Sequence, residues 1–235
     1  MTFQNVLAGL CVGVGIALAG FFVSQTTLNE RIGANTATVK GLSERIVTAD
    51  KAAWRFGYQV AGRGDVAADF ARADEDGERI RQVLTEAGFT AAELTFAPLI
   101  KSDEVRYNNN GEVIDRYHVV RGEVSVSTTS PGKVAPARGP IFELAIDGVS
   151  VDEYFISYQF TGLNEIKPDM LREATANARV AANEFAANAG VTVGGIQTAT
   201  QGGFQIRAAN EGVSEADAIE KLVRVVTTIT FYLNN

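Results

Sequence analysis

The sequence predicts an α+β protein: a mostly antiparallel sheet with two long helices packed on it, preceded by an N-terminal transmembrane or signal helix. The sheet is predicted from stretches in which apolar and polar residues alternate, and the helices from two stretches with apolar residues at intervals of three and four. The N-terminal helix is predicted from one long apolar run. No change of composition marks a second domain within the folded part.

The composition excludes several classes of protein. At 235 residues with 46% hydrophobic content, the chain is long enough to build a substantial core, so disorder is not expected. Its 21 basic and 28 acidic residues give a net charge of −7, and Lys and Arg do not cluster, so nucleic acid is not an expected partner. The single cysteine, Cys11, allows neither an intrachain disulfide nor a cysteine-based metal site.

Residues 6–23 form the apolar run, with 18 consecutive uncharged residues, about the minimum length of a membrane-spanning helix. A cleaved signal peptide is the alternative, because Ala17, Leu18 and Ala19 offer a small-x-small cleavage site. The MTFQN start lacks the basic residues of such a peptide, which favours a retained anchor. The chain is accordingly divided into an anchor or signal segment at residues 1–24, a polar tether at 25–38 and a folded domain at 39–235.

The folded domain begins with two predicted strands and a helix. Apolar positions in residues 39–47 and 53–60 indicate two strands joined by a turn at residues 48–51. A helix is expected from the N-cap Asp65 to a stop at Gly88. Its apolar positions recur at intervals of three and four, at Phe70, Ala73, Gly77, Ile80, Leu84 and Ala87.

Two further strands are predicted at residues 94–100 and 117–126, on either side of a hairpin excursion at residues 101–116. The tip of the excursion is Asn108-Asn109-Asn110-Gly111, and Asn and Gly both tolerate the positive φ of tight turns. Prolines interrupt residues 131–148, where one short helix at 141–145 is expected, and a strand follows at 154–160.

A second long helix is predicted at residues 168–188, ended by Gly190, and two last strands at residues 195–206 and 222–233. Small residues in the helix predict close packing against the sheet. The predicted stripe consists of Leu171, Ala174, Ala178, Ala181 and Phe185. The element order is therefore β-β-α-β-β-(α)-β-α-β-β, with the helices on one face of the sheet.

Three stretches together resemble the SIMPL-domain family. VKGLSERIVTADKAAWRFGY, residues 39–58, resembles the family's opening motif, a V-x-G strand and a turn with a small residue and Asp that lead into a second strand. The long helix resembles its signature A-x-x-x-A-R-x-x-A-x-x-x-A-x-x-A-G-V-x-x-G, from Ala174 to Gly194, and LVRVVTTITFYL is similar to its last strand. The resemblance covers residues 38–234, and the Ala-Arg helix is its specific part.

The resemblance implies an exported envelope protein without established enzymatic chemistry, linked to stress defence and able to form large homo-oligomers. It implies that residues 39–58 are a structural hairpin, with Trp54 and Tyr58 on one face. With a retained anchor, the protein would cross the bacterial inner membrane once, with its C-terminal domain in the periplasm. With a cleaved signal, it would be secreted into the periplasm.

No catalytic, cofactor-binding or metal site is predicted. Ser43 or Ser125 with His118 and an Asp would be needed for a hydrolase triad, but no G-x-S-x-G elbow is present, and the sole histidine, His118, is interpreted as a packing or surface residue. Residues 74–78, Asp-Glu-Asp-Gly-Glu, suggest calcium, but they lack the ligand spacing of a calcium loop and continue a helical pattern. They are interpreted as a solvated helix face.

Two glycine pairs also fail as phosphate sites. Neither Gly194-Gly195 nor Gly202-Gly203 is followed by Lys-Ser/Thr and a helix, as a phosphate-binding loop requires. Gly194 is assigned to the turn between helix and strand, and Gly202-Gly203 to a bulge or a close approach of strands.

Two function hypotheses remain open. The first is a membrane-tethered scaffold that assembles as a homo-oligomer, with the membrane contacted through residues 6–23 and the tip at Asn108–Asn110 as the expected contact between copies. The second is an exported binding module for a peptide, lipid or small molecule. An enzyme ranks third, because convergent acid, base and nucleophile are absent from the sequence pattern.

Overall fold

The computed structural model describes residues 13–22 and 35–234. Residues 13–22 are helical and exposed, and we call this segment α1. No helix among the described residues combines the length and apolar character needed to cross a membrane. The rest of the expected span, at 6–12 and 23, lies outside the described residues, as does most of the expected tether.

The described chain contains nine strands and three further helices, an α+β composition as predicted. The two predicted long helices are present at Val66–Glu86 (α2) and Leu163–Ala189 (α4). A shorter helix lies between them at Val134–Glu143 (α3). The strands are Thr36–Thr48 (β1), Lys51–Gly62 (β2), Leu94–Phe96 (β3), Ile100–Tyr107 (β4), Val113–Thr128 (β5), Ser150–Gln159 (β6), Thr192–Gln201 (β7), Gln205–Ala208 (β8) and Glu220–Asn234 (β9).

The strands form two sheets, whereas the sequence predicted one. One sheet has the order β1-β9-β7, with β8 on β9, and the other has the order β3-β5-β2-β6, with β4 on β5. The prediction of a hairpin at residues 39–60 is wrong in one respect. The strands and the turn are present, but β1 and β2 belong to different sheets, because each finds its hydrogen-bonding partners in distant parts of the chain.

The chain divides into two compact units. The terminal unit contains the chain up to Glu44, Lys167–Gln205 and the chain from Arg224, and the central unit contains Arg45–Ile166 and Ile206–Val223. Each unit is assembled from segments that are distant in sequence, so no local change of composition marks where one ends.

In the terminal unit, α4 packs on β1 and β9 through small residues. A Cβ on Gly41 of β1 would lie 1.8 Å from the carbonyl oxygen of Ala174 and 2.8 Å from the Cβ of Ala178. Ala178 also packs in a cluster with Ile229 and Phe231 of β9. The helix therefore lies against the strand almost backbone to backbone.

The predicted stripe on α4 is right at Ala174 and Ala178 and wrong at Phe185, and its other two members, Leu171 and Ala181, are half-buried. Phe185 is 56% exposed, and the buried residues follow a strict interval of four. The buried set is Met170, Ala174, Ala178, Ala182 and Ala186. Because the backbones of α4 and β1 lie close together, mainly alanines fit between them, and the large side chain of Phe185 lies outside the contact.

In the central unit, α2 and α3 cover the inner face of the five-stranded sheet. Tyr58 shows the closeness of this packing, because a Cβ on Gly122 of β5 would lie 2.2 Å from its ring and a Cβ on Gly77 of α2 would lie 2.6 Å from its hydroxyl. Asp65 caps α2 by accepting hydrogen bonds from the backbone of Ala67 and Ala68, as predicted. The buried core combines both layers: Trp54, Phe56, Tyr58, Val60, Ala73, Ile80, Leu84, Val120, Val124, Val126, Val134 and Ile141.

Candidate functional site

A cleft in the central unit lies along β6, the last strand of the five-stranded sheet in the order β3-β5-β2-β6. It encloses about 390 Å³, a volume within the range of small-molecule sites. Most of its wall comes from consecutive residues of β6, and α3 and the loop before β9 complete it. The lining residues are Arg138, Glu153, Tyr154, Phe155, Ile156, Tyr158 and Asp217.

Glu153 is the fixed polar group of this β6 cleft. Its Oε1 accepts hydrogen bonds from Nε1 of Trp54 at 2.9 Å and from Nε of Arg138 at 2.9 Å. Its Oε2 accepts from Nη2 of Arg138 at 2.6 Å, so the guanidinium binds the carboxylate through two parallel bonds. Trp54 is 1% exposed, and this buried donor locks the carboxylate in place.

A β-bulge places two aromatic residues, Tyr154 and Phe155, side by side on the face of β6 opposite to Glu153. In the pairing of β2 with β6, Arg55 lies opposite Phe155 and Phe56 lies opposite Glu153, so Tyr154 is the extra residue. A Cβ on Gly57 would lie 2.0 Å from the Tyr154 hydroxyl, so the ring lies directly over this glycine. Tyr154 and Phe155 remain 55% and 48% exposed.

Tyr158 and Asp217 form the opposite end of the cleft. Burial raises the pKa of the Tyr158 phenol, while Arg138 lowers it and Glu153 raises it, so the hydroxyl is protonated at neutral pH. The backbone N–H of Tyr158 donates to the carbonyl oxygen of Ala216 at 2.7 Å, which fixes the loop that carries Asp217. The Asp217 carboxylate accepts from the Ser214 hydroxyl at 2.7 Å.

The sole histidine, His118, has an acidic partner that the sequence analysis missed. Its Nε2 lies 2.9 Å from Oδ2 of Asp69, and both side chains are buried. Gly62 makes room for the pair, because a Cβ there would lie 1.6 Å from that same carboxylate oxygen. The available signal was the position of Asp69, four residues before Ala73 on the buried face of α2.

Neither serine considered for a triad joins this pair. Ser43 belongs to the terminal unit, where its hydroxyl donates to Oε2 of Glu173 at 2.8 Å. Ser125 lies on β5 seven residues after His118 in an uninterrupted register, which places the two side chains on opposite faces of the strand about 23 Å apart. The structure therefore brings no serine of this set to the histidine.

The acidic run at residues 74–78 lies on α2, and Asp74, Glu75 and Glu78 are exposed, as the interpretation of a solvated helix face predicted. Asp76 is half-buried, and desolvation raises the pKa of its carboxyl. Among residues 13–22 and 35–234, no group of three His, Cys, Asp or Glu side chains is placed to hold a metal ion.

In each of the two glycine pairs, the first glycine lies in a close contact and the second lies in open space. Gly194 lies inside β7, where the register with β9 shifts, so its assignment to the turn after the helix is wrong. That turn is made by Gly190, which has a φ of +71°. Gly202 confirms the expected close approach of strands: its N–H donates to the Val226 carbonyl oxygen at 2.8 Å, and a Cβ there would lie 2.7 Å from the same oxygen.

The hairpin of β4 and β5 has the predicted tip and an apolar surface. Oδ1 of Asn108 accepts from the backbone N–H of Asn110 and of Glu112, both at 2.9 Å, and Gly111 has a φ of +82°. Four large apolar residues of the hairpin are between 43% and 68% exposed, three of them next to the tip and one, Ile100, at the far end of β4. They are Ile100, Tyr107, Val113 and Ile114.

A family model described as "Protein of unknown function (DUF541)", SIMPL, matches residues 37–231, which include parts of both units. The chain belongs to the SIMPL family. In this SIMPL chain the family-like motifs meet in the terminal unit, where Gly41 of the V-x-G strand faces the Ala-Arg helix. The guanidinium of Arg179 in that helix lies 4.9 Å from the ring centroid of Phe231 on the last strand.

Other comparisons add little to the SIMPL assignment. The chain is similar to the crystal structure of a putative aminohydrolase from methicillin resistant Staphylococcus aureus, with 14% identity, a TM-score of 0.25 and coverage of 60% of this chain and 39% of that one. It is also similar to a hydrolase from Listeria innocua, with 9% identity, a TM-score of 0.22 and coverage of 82% and 92%. The chain thus spans 39% of the first of these structures. No curated protein matches the chain.

Proposed function

We propose that this SIMPL protein is an exported, membrane-tethered scaffold of the bacterial envelope that assembles as a homo-oligomer and acts in stress defence without enzymatic chemistry. The observation that carries the proposal is the pair of edges of the five-stranded sheet in the central unit. At one edge β4 is paired to β5, and at the other β6 is paired to β2. Apolar side chains are exposed at both, Ile100 and Tyr107 on β4 and Tyr154 and Phe155 on β6.

An edge strand presents backbone N–H and C=O groups that can pair with another chain. Because β4 and β6 are different edges of one sheet, pairing of β4 in one copy with β6 in the next is heterologous, and such contacts repeat from copy to copy, forming a ring where the rotation between copies closes and a filament where it does not. The apolar run at residues 6–23 supports a tether, which raises the effective concentration of the copies in the membrane.

The test is the size of the detergent-extracted full chain by analytical ultracentrifugation. We expect a discrete assembly of the unchanged protein and smaller species after Ile100→Lys combined with Tyr107→Lys, or after deletion of residues 106–112. Phe185→Lys is the matched control, since Phe185 is 56% exposed and Tyr107 59%, but it lies on α4. A monomeric parent protein at high concentration would overturn the proposal, as would equal effects of the β4 and α4 variants.

A second candidate function, an exported binding module, is favoured by the β6 cleft. The cleft contains a carboxylate, Glu153, which three hydrogen bonds from Trp54 and Arg138 hold in place next to the β-bulge at Tyr154. Bulges are frequent beside functional sites because they re-aim a side chain. If the parent protein is monomeric and small molecules raise its melting temperature, the binding module is the better description.

A further inference from the structure

We propose that β7 is a second interface between copies of this chain, at which two β7 strands pair antiparallel about a two-fold axis. The inference rests on the proposed homo-oligomer and adds to it an isologous contact, separate from the edges β4 and β6. It concerns the terminal unit alone, because β7 lies within Lys167–Gln205.

β7 is an edge strand with an open side. In the described part of the chain, β9 is the only strand that pairs with it. Every residue from Ile196 to Gln201 is exposed, and the apolar side chain of Ile196 is 46% exposed. The backbone N–H and C=O groups on the free side of such a strand can pair with another chain.

The composition of β7 favours a second copy as the partner. Its ten residues, TVGGIQTATQ, include no charged side chain and no proline, the residues that commonly block edge-to-edge pairing. β1, at the other edge of the same sheet, carries Lys40 and Glu44. Two β7 strands therefore meet without like-charge repulsion along the contact, although each chain has a net charge of −7.

Part of β7 reads the same in both directions. Residues Gln197–Gln201 have the palindromic sequence QTATQ, and from Thr198 to Gln201 the register with β9 is uninterrupted. With Ala199 on the two-fold axis, Thr198 of one copy lies opposite Thr200 of the other. Gln197 lies opposite Gln201 in the same way. Threonine pairs and amide pairs across antiparallel strands can hydrogen-bond, and the smallest side chain of the segment meets itself on the axis.

The same register continues rows of threonine across the joined sheets. Thr198 lies beside Thr230, and Oγ1 of Thr230 lies 2.9 Å from Oγ1 of Thr38. Thr200 lies beside Thr228 in the next row. Placing Thr198 opposite Thr200 of a second copy joins the two rows end to end. The strand order then runs β1-β9-β7-β7-β9-β1 through both copies.

Disulfide formation tests the two-fold register. In the Cys11→Ser background, which removes the chain's single cysteine, Ala199→Cys places a thiol on the axis. Residues directly opposite in an antiparallel pair have Cα atoms about 4.5 or 5.5 Å apart, within the span of a disulfide. We expect copper-phenanthroline oxidation of the full chain in detergent to give a covalent dimer. Ala176→Cys, at an exposed alanine of α4, is the matched control and should give none.

Charge at the contact gives a second test. Thr198→Lys combined with Thr200→Lys places like charges directly opposite each other, which destabilises the pairing. In analytical ultracentrifugation we expect smaller species than the parent assembly. The β4 double variant, Ile100→Lys with Tyr107→Lys, should leave dimers held by β7, and all four changes together should yield monomers.

The outcomes separate this interface from the proposed β4–β6 assembly. Equal cross-linking of the Ala199→Cys and Ala176→Cys variants, no cross-linking of either, or a β4 double variant that is already monomeric would overturn the β7 contact and leave the proposed assembly in place. A parent chain that is a dimer, cross-links through Ala199→Cys and is unaffected by the β4 changes would support the β7 contact and overturn assembly through β4 and β6.

Discussion

Gly41 of β1 lies directly beneath Ala174 of α4, so that a Cβ on Gly41 would stand 1.8 Å from the Ala174 carbonyl oxygen. The atom that such a Cβ would meet belongs to the helix backbone, which cannot change rotamer to relieve the clash as a side chain can. The V-x-G motif and the alanine helix are more than a hundred residues apart in the sequence. This contact explains both motifs, because each must supply small residues where strand and helix meet.

Gly41→Ala is therefore expected to lower the free energy of unfolding by about 3 kcal/mol, the upper end of overpacking costs. Urea unfolding measures the change. Gly195→Ala on β7 is the matched control, because a Cβ there would meet nothing within 4 Å. Equal stability of the two variants would show that α4 can move away from β1.

Ala178→Leu tests the same contact from the helix side. Ala178 is fully buried on the face of α4 that packs against β1 and β9, so a leucine has no room and should cost about 1–3 kcal/mol of stability. Ala176→Leu, on the exposed face of the same helix, should change stability little. A cost shared by both variants would point to an effect on the helix as a whole and count against tight packing at Ala178.

The sequence predicted the two long helices and most of the strands because their signals are local, whereas the short helix expected at residues 141–145 lies at Val134–Glu143. The cap at Asp65, the stop at Gly88 and the tip at Asn108 were each confirmed by a hydrogen bond or a positive φ. Strand partners are not local, which is why β1 and β2 were wrongly paired. The prediction of the buried face of α4 was partly wrong because it included Phe185 on account of its hydrophobicity. The close approach of α4 to β1 instead requires small side chains on the buried face.

The cleft and the His118–Asp69 pair could not be predicted from the sequence either, because both depend on contacts between distant parts of the chain. Glu153 is positioned by Trp54 and Arg138, residues of two other elements, and Asp69 meets His118 from 49 positions away. Neither constellation has a spacing along the chain that a motif could express.

His118→Ala is expected to leave assembly and ligand binding intact while lowering stability by about 1–3 kcal/mol, because the buried Asp69 carboxylate loses a hydrogen-bond partner. In a double-mutant cycle, combining it with Asp69→Ala should recover part of the loss, since both partners are then removed. Loss of function at unchanged stability would instead indicate a functional role for the histidine.

Glu93 should make stability depend on pH. The Thr128 hydroxyl and then the backbone N–H of Thr90 hold the pKa of its carboxyl below the usual value; burial opposes them, and the Thr90 hydroxyl adds to the lowering. A lowered folded-state pKa stabilises above the unfolded pKa of about 4.3, and this contribution is lost as pH falls through the folded pKa.

Glu93→Gln should accordingly be less stable than the parent at pH 7, with the difference shrinking as pH falls below about 4. Thermal unfolding between pH 3 and 7 measures it, with Glu184→Gln on the exposed face of α4 as the control for charge removal. A difference that stays constant across this range would contradict the assignment.

The N-terminal run is expected to be retained in the mature protein, because residues 6–23 are long enough for a span and no basic residue precedes them. Mass spectrometry of the protein extracted from membranes decides the matter. A mature chain that begins at Gly20 would establish cleavage instead.

The position of β9 has a consequence for the time course of folding. This strand lies between β1 and β7 in its sheet but follows both in the sequence. The hydrogen-bonding partner of β1 is therefore nearly two hundred residues away from it. Such a topology has a high contact order and folds slowly. A chain that emerges from the ribosome N-terminus first therefore carries an unpaired β1 edge until its last strand is made, and a chaperone that shields this edge would matter most during that delay.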